Sequence, residues 1–231
     1  MKTPSRLLLV ACTLALVACG PHRQLRTHEL DIHGTNDLVP VSADGGNVPQ
    51  AYRAFLDGIG NIEGGCTVSY VGNGVAVTAG HCLPSLGDCT AFRISWGDRV
   101  GRPPYLKSRC DRVLAASDDD KHGDYALILV DPVPRVALPF DLSQPPTTGE
   151  RVTLFSHPDE RPLAWSQYSR LAPLGPNSPF VVHQCDTLGG SSGGAILDAA
   201  TGRIVAVHDR SDGTATRLDQ TPLATYLSTT Y

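Results

Sequence analysis

Three stretches of the chain carry side chains that could do covalent chemistry together. Gly189-Gly190-Ser191-Ser192-Gly193-Gly194 sets two hydroxyls between paired glycines. A serine nucleophile needs a sharp turn, a base beside it, and backbone N–H groups aimed at the oxyanion that forms on attack. Glycines on both sides open conformations closed to residues with a Cβ and leave room for a substrate carbonyl. Ser192 is the better nucleophile candidate, because it lies two residues after Gly190 and the N–H groups of Gly190 and Ser192 can converge on one oxygen. Thr78-Ala79-Gly80-His81-Cys82 follows an apolar run, which would hold an imidazole at the end of a rigid strand, where a general base belongs. Asp124 opens a second apolar run, 125–130, in which a buried carboxylate could be held. Asp118, Asp119 and Asp120 compete for that role, but they adjoin Lys121 in a charged, turn-like run that reads as a solvated loop.

The elements that must position these residues are short strands. Runs at 66–71, 74–78, 91–96, 125–130, 151–155, 180–183, 194–197 and 204–208 are β-like and bounded by turn residues, and only 222–227 reads as a helix, with Pro222 at its start. Plentiful glycine (23) and proline (18), with 6% aromatics, favour many tight turns over long helices. With 231 residues, 41% of them apolar, one globular all-β domain is expected. A net charge of −4 and the absence of any Lys/Arg run argue against a nucleic-acid partner.

TAGHC at 78–82, DYAL at 124–127 and GSSGG at 190–194 stand in one order and at spacings that resemble the trypsin/chymotrypsin-like serine peptidases, more closely the bacterial branch that includes the glutamyl endopeptidases. The resemblance covers roughly residues 52–228 and includes the run 152–158, which ends in His157-Pro158. It implies two six-stranded antiparallel β-barrels with a short C-terminal helix. The cleft between them would hold a triad of His81, Asp124 and Ser192, with Gly190 and Ser192 as oxyanion donors. It also implies a protein or peptide substrate, acyl-enzyme chemistry, and no cofactor or metal. Ser191 stands where the animal enzymes have an aspartate that pairs with a newly cut N-terminus, so activity without proteolytic activation is expected.

Specificity is open at this level. Asp186 lies six residues before Ser192, the offset at which trypsin-like enzymes place a carboxylate for Lys or Arg; Thr187 and His208 match the threonine and histidine with which glutamyl endopeptidases hold an acidic side chain. With Arg210 nearby, an acidic or small residue before the cut is the preferred reading, and Asp186 would then point away into the pocket wall. Cys66 is expected to pair with Cys82, stapling the His81 turn to the preceding strand, and Cys89 with Cys110 by proximity and elimination. Cys185 is left over.

The first residues are a separate unit. Lys2 and Arg6 precede an apolar run from 7 to 17, too short to span a bilayer but right for a signal-peptide core, and Leu16-Val17-Ala18-Cys19 resembles the bacterial lipobox. Residues 1–18 are therefore expected to be removed, Cys19 to carry lipid, 19–48 to be a flexible tether, and 49–231 to be the peptidase domain. That places a monomer on the cell envelope, at the outer membrane or cell surface, and otherwise makes it secreted. A rival reading keeps the fold but makes the protein a catalytically silent envelope adaptor.

Overall fold

The strand Gly123–Asp131 shows why the chain folds as it does. Alternate residues Ala126, Ile128 and Val130 enter one core with Val68, Ile94 and Trp96, while Tyr125, Leu127 and Leu129 enter another with Phe155, Trp165 and Val207. With both faces covered, its sequence is an unbroken apolar run rather than an alternation.

The computed structural model describes residues 31–229 apart from 174, 176 and 211. The leader 1–18, Cys19 and residues 20–30 lie outside the described residues. Strand β1 is Leu38–Pro40. Next come β2 (Ile59–Ile62), β3 (Cys66–Gly72), β4 (Val75–Thr78), β5 (Arg93–Trp96), β6 (Leu106–Asp119) and β7 (Gly123–Asp131), which close into a barrel in the order β2-β3-β4-β7-β6-β5. They are followed by β8 (Arg151–Ser156), β9 (Ala164–Arg170), β10 (Ala172–Pro173), β11 (Phe180–Val182), β12 (Ala195–Asp198), β13 (Ile204–His208) and β14 (Thr214–Arg217). These join β1 in an eight-stranded sheet of order β1-β9-β8-β12-β13-β14-β11-β10. Helices are short, α1 at Gln50–Arg53 and α2 at Leu223–Leu227. This is the all-β double body expected of a chymotrypsin-like chain. The second body is an eight-stranded sheet rather than a six-stranded barrel, because β1 and the two-residue β10 extend its ends.

Two local expectations change. Residues 31–48, expected within the tether, are packed: β1 pairs antiparallel with β9, Asp31 bridges Thr187, and Val41 and Val48 are buried. Those apolar side chains, spaced among polar ones without a period, find their partners only in the folded chain, in a core that both bodies share. Asp118 and Asp119 are not loop residues either but the end of β6, in register with Asp124 and Gly123. The Asp119 carboxylate then accepts from the N–H groups of Lys121 (2.8 Å) and His122 (2.7 Å) to close the turn into β7. Both expected disulfides are present, Cys66–Cys82 and Cys89–Cys110, and Cys185 is free and buried.

Candidate active site

His81 sits in a single 3₁₀ turn, Gly80–Cys82, directly after β4, and the Cys66–Cys82 bond ties that turn to the first residue of β3. Asp124, the second residue of β7, is fully buried, and its N–H donates to Thr216 Oγ1 on β14 (2.8 Å), so it lies in the seam between the two bodies. One carboxylate oxygen accepts from the His81 backbone N–H at 2.9 Å, and the other lies 2.5 Å from His81 Nδ1. On the far side of the ring, Nε2 is 2.9 Å from Ser192 Oγ. With Nδ1–H given to the carboxylate, the neutral imidazole presents its Nε2 lone pair to the hydroxyl. That hydroxyl has a second acceptor at 3.4 Å, the backbone carbonyl of Asp209.

The loop before Ser192 is held in one conformation. Asp159 N–H donates to the Gly189 carbonyl at 2.5 Å, and across a trans peptide the Gly190 N–H points the opposite way. Neither that N–H nor the Ser192 N–H has an acceptor among the described residues, so both are free to serve one oxyanion. Two glycines are needed here. Gly190 has φ +87°, and a Cβ on it would lie 2.7 Å from the His157 carbonyl; Gly193 has φ +82°, and a Cβ there would collide with the Thr67 carbonyl and the Thr78 hydroxyl. Ser191 is fully buried, its hydroxyl 3.1 Å from Ser156 Oγ and accepting from Leu188 N–H at 3.2 Å. Neutral hydrogen bonds thus fill the position where an activating ion pair would sit.

Thr67 is one residue that the sequence alone did not single out. Its N–H donates to the Ser192 carbonyl (2.7 Å), and its hydroxyl donates to the Gly190 carbonyl (2.9 Å) and accepts from His157 N–H (2.8 Å). A threonine in a β-rich run is unremarkable in type, so its only advance signal was its place beside Cys66.

Of the residues expected in the specificity pocket, His208 and Thr187 are buried, while Asp186 and Arg210 are engaged elsewhere. Cys185 N–H donates to His183 Nδ1 (3.1 Å), and His183 Nε2 lies 3.0 Å from His208 Nδ1. The first bond requires an unprotonated Nδ1 on His183, so its Nε2–H donates and His208 carries its proton on Nε2, which has no acceptor among the described residues. Both rings are neutral: burial holds His183 down to about 3, and burial, with the neighbouring His183 and His81, holds His208 well below the usual range. Thr187 is buried and its backbone exchanges two hydrogen bonds with Asp31. Asp186 turns away from the pocket, its carboxylate accepting from the N–H groups of His33 (2.8 Å) and Asp37 (2.6 Å) in the N-terminal arm. Arg210 reaches outward to Asp118 (3.6 Å) and Asp120 (3.5 Å) instead of lining the pocket. Cys185 is inert packing, since burial pushes its thiol up to about 12.

A closed barrel and a curled sheet, with these three side chains in their seam, define the chymotrypsin-like double-body class. The chain belongs to the trypsin-like peptidase domain family, whose pattern matches residues 65–207. No curated protein matches the sequence. Among solved structures, the chain is similar to the serine endoprotease from Yersinia pestis, with a TM-score of 0.57 and 17% identity, over 78% of this chain and 65% of that one. It is also similar to the Rv3671c protease in its inactive form, with a TM-score of 0.54 and 18% identity, over 78% of this chain and 91% of that one. The chain thus spans just under two thirds of the Yersinia protein, and at these identities the likeness is one of fold.

Proposed function

We propose that the chain is a serine endopeptidase that cleaves through an acyl-enzyme. Ser192 Oγ attacks the scissile carbonyl while His81 Nε2 takes its proton; the N–H groups of Gly190 and Ser192 receive the oxyanion. Collapse breaks the C–N bond, with His81 returning the proton to the leaving amine, and water repeats the sequence to release the acid. Asp124 orients the ring and stabilises the imidazolium. The observation that carries this reading is the unbroken line from Asp124 through His81 to Ser192, with two unoccupied N–H donors beside it.

An acidic or small residue before the cut is the proposed preference, of the glutamyl-endopeptidase kind. Supporting it, His208 offers a fixed neutral donor backed by His183, and Asp186 spends its charge on the N-terminal arm. The Cys19 lipid anchor and an envelope location remain part of the proposal and rest on the lipobox-like 16–19, and a monomeric state is proposed with them.

A fluorophosphonate probe tests the core of the reading: the wild type should label and Ser192→Ala should not. A wild type that never labels would favour the silent adaptor. Peptide-library profiling tests the preference, and strong cleavage after Lys or Arg would reverse it.

A further inference from the structure

Asp209 is a buried acid beside the triad that the chemistry above does not use. It directly follows β13, its side chain is fully shielded from water, and neither carboxylate oxygen meets a hydrogen-bond donor among the described residues. The nearest cation is Arg210, whose Nε is 3.7 Å from Oδ1, beyond hydrogen-bond range. That guanidinium is shared with Asp118 and Asp120. The backbone of Asp209, in contrast, is engaged on both sides. Its N–H donates to the Thr214 carbonyl (3.1 Å), and its own carbonyl lies 3.4 Å from Ser192 Oγ.

The surroundings decide its charge. Around it stand Asp124 on β7, Asp118 at the end of β6, and Asp212 and Arg210 on its own segment, three acids against one partly exposed cation. Burial first, then repulsion by Asp124, push Asp209 up to about 8. Two neighbouring carboxyls in a dry seam do not both ionise readily. Asp124 accepts two hydrogen bonds from His81 and Asp209 accepts none, so the charge belongs on Asp124 and the proton on Asp209.

We propose that Asp209 is a positioning residue of the triad: held as a neutral acid, it leaves Asp124 as the anion behind His81 and keeps its own carbonyl against the Ser192 hydroxyl. This rests on the triad reading above. Loss of the proton to solvent puts a second anion in the same seam, offset only by Arg210, whose guanidinium it shares with Asp118 and Asp120. Relief requires residues 208–210 to open toward water, carrying the carbonyl away from Ser192.

The test compares wild type and Asp209→Asn, an isostere that cannot ionise, by the rate of fluorophosphonate labelling between about pH 6 and about pH 10. Below about pH 7 the two should agree within about threefold. Above about pH 8 the wild-type rate should fall by roughly fivefold or more, while the variant holds its plateau. Profiles that superimpose throughout, or a folded variant that is already inactive at neutral pH, would overturn the proposal. Because the variant could fold poorly, a carbon-13 titration of aspartate carboxyls in the wild type gives a second reading that needs no activity. One buried carboxyl titrating near pH 8 is expected, and every aspartate ionised by about pH 6 would refute the idea. If the wild type never labels at any pH, the peptidase reading fails while the titration still tests the proton on Asp209.

Discussion

Replacing Thr67 with valine removes one hydroxyl and leaves the shape of the side chain in place. In the native protein that hydroxyl donates to the Gly190 carbonyl at 2.9 Å and accepts from His157 N–H at 2.8 Å, at a site with no solvent exposure. Thr67→Val therefore strands two backbone groups, each costing about 1–3 kcal/mol when left unpaired. Some relaxation of the loop is expected, so the predicted loss is about 2–4 kcal/mol in urea unfolding. The same change frees the Gly190 peptide, whose N–H is one of two oxyanion donors. Deleting such a donor outright costs about 10²–10³ in rate; loosening it should slow fluorophosphonate labelling by about tenfold. Thr67→Ser keeps the hydroxyl and drops the methyl, so it should recover most of the labelling rate. The reasoning is refuted if valine shifts stability by less than about 0.5 kcal/mol with labelling unchanged. It is also refuted if serine does as much damage as valine, since packing rather than hydrogen bonding would then be at work.

Asp124→Asn should cut the labelling rate by about 10³–10⁴ through loss of the correct His81 tautomer; a tenfold effect or less would mean that the carboxylate is not orienting the ring. His183→Phe removes the donor to His208 Nδ1 and should raise KM about tenfold for the best peptide with kcat nearly unchanged, and a drop in kcat alone would contradict the pocket assignment. Replacing Cys66 and Cys82 together by serine opens a cross-link with a sequence separation of 16, so unfolding measurements should show a loss of about 3 kcal/mol; no loss would mean the bridge contributes nothing to holding the His81 turn. His157 is held down to about 4 by complete burial, so the unfolded chain takes up a proton near its ordinary value while the folded chain resists. Its contribution is full above about pH 6.5 and is lost as pH falls toward 4, the opposite sense to Asp209, whose raised value erodes stability as pH climbs from about 4 to about 8. His157→Gln should flatten the pH dependence of the urea midpoint between about 6.5 and 4.5, and an unchanged slope would count against this origin.

Much of the site was legible from local pattern. Ser192 stands between glycines that only a tight, open turn requires, His81 ends an apolar run, and Asp124 begins one, so each announces itself within a few residues. Several strands found from sequence, such as β4 and β7, are apolar on both faces. Those passed over, β1, β2, β6, β9, β10 and β14, have a polar outer face, contain glycine, or are only a few residues long, and their pairing depends on neighbours. Of Asp124 and Asp118–Asp120, it is Asp124 whose carboxylate meets His81, while Asp118 and Asp119 are strand residues in register with the start of β7.

The amino-acid sequence by itself determined which serine, histidine and aspartate were candidates for the site, the cysteines that would pair, and an all-β chain, because short-range spacing and residue type carry that information. Only the tertiary structure decided where each charge is used. Asp186 is claimed by backbone N–H groups about 150 residues away, at separations of 153 and 149. Arg210 is drawn to Asp120 across 90 positions, and among the described residues Asp209 is left without a donor. A carboxylate's role follows from the donors and water that reach it, and those come from chain segments that no local pattern links to it.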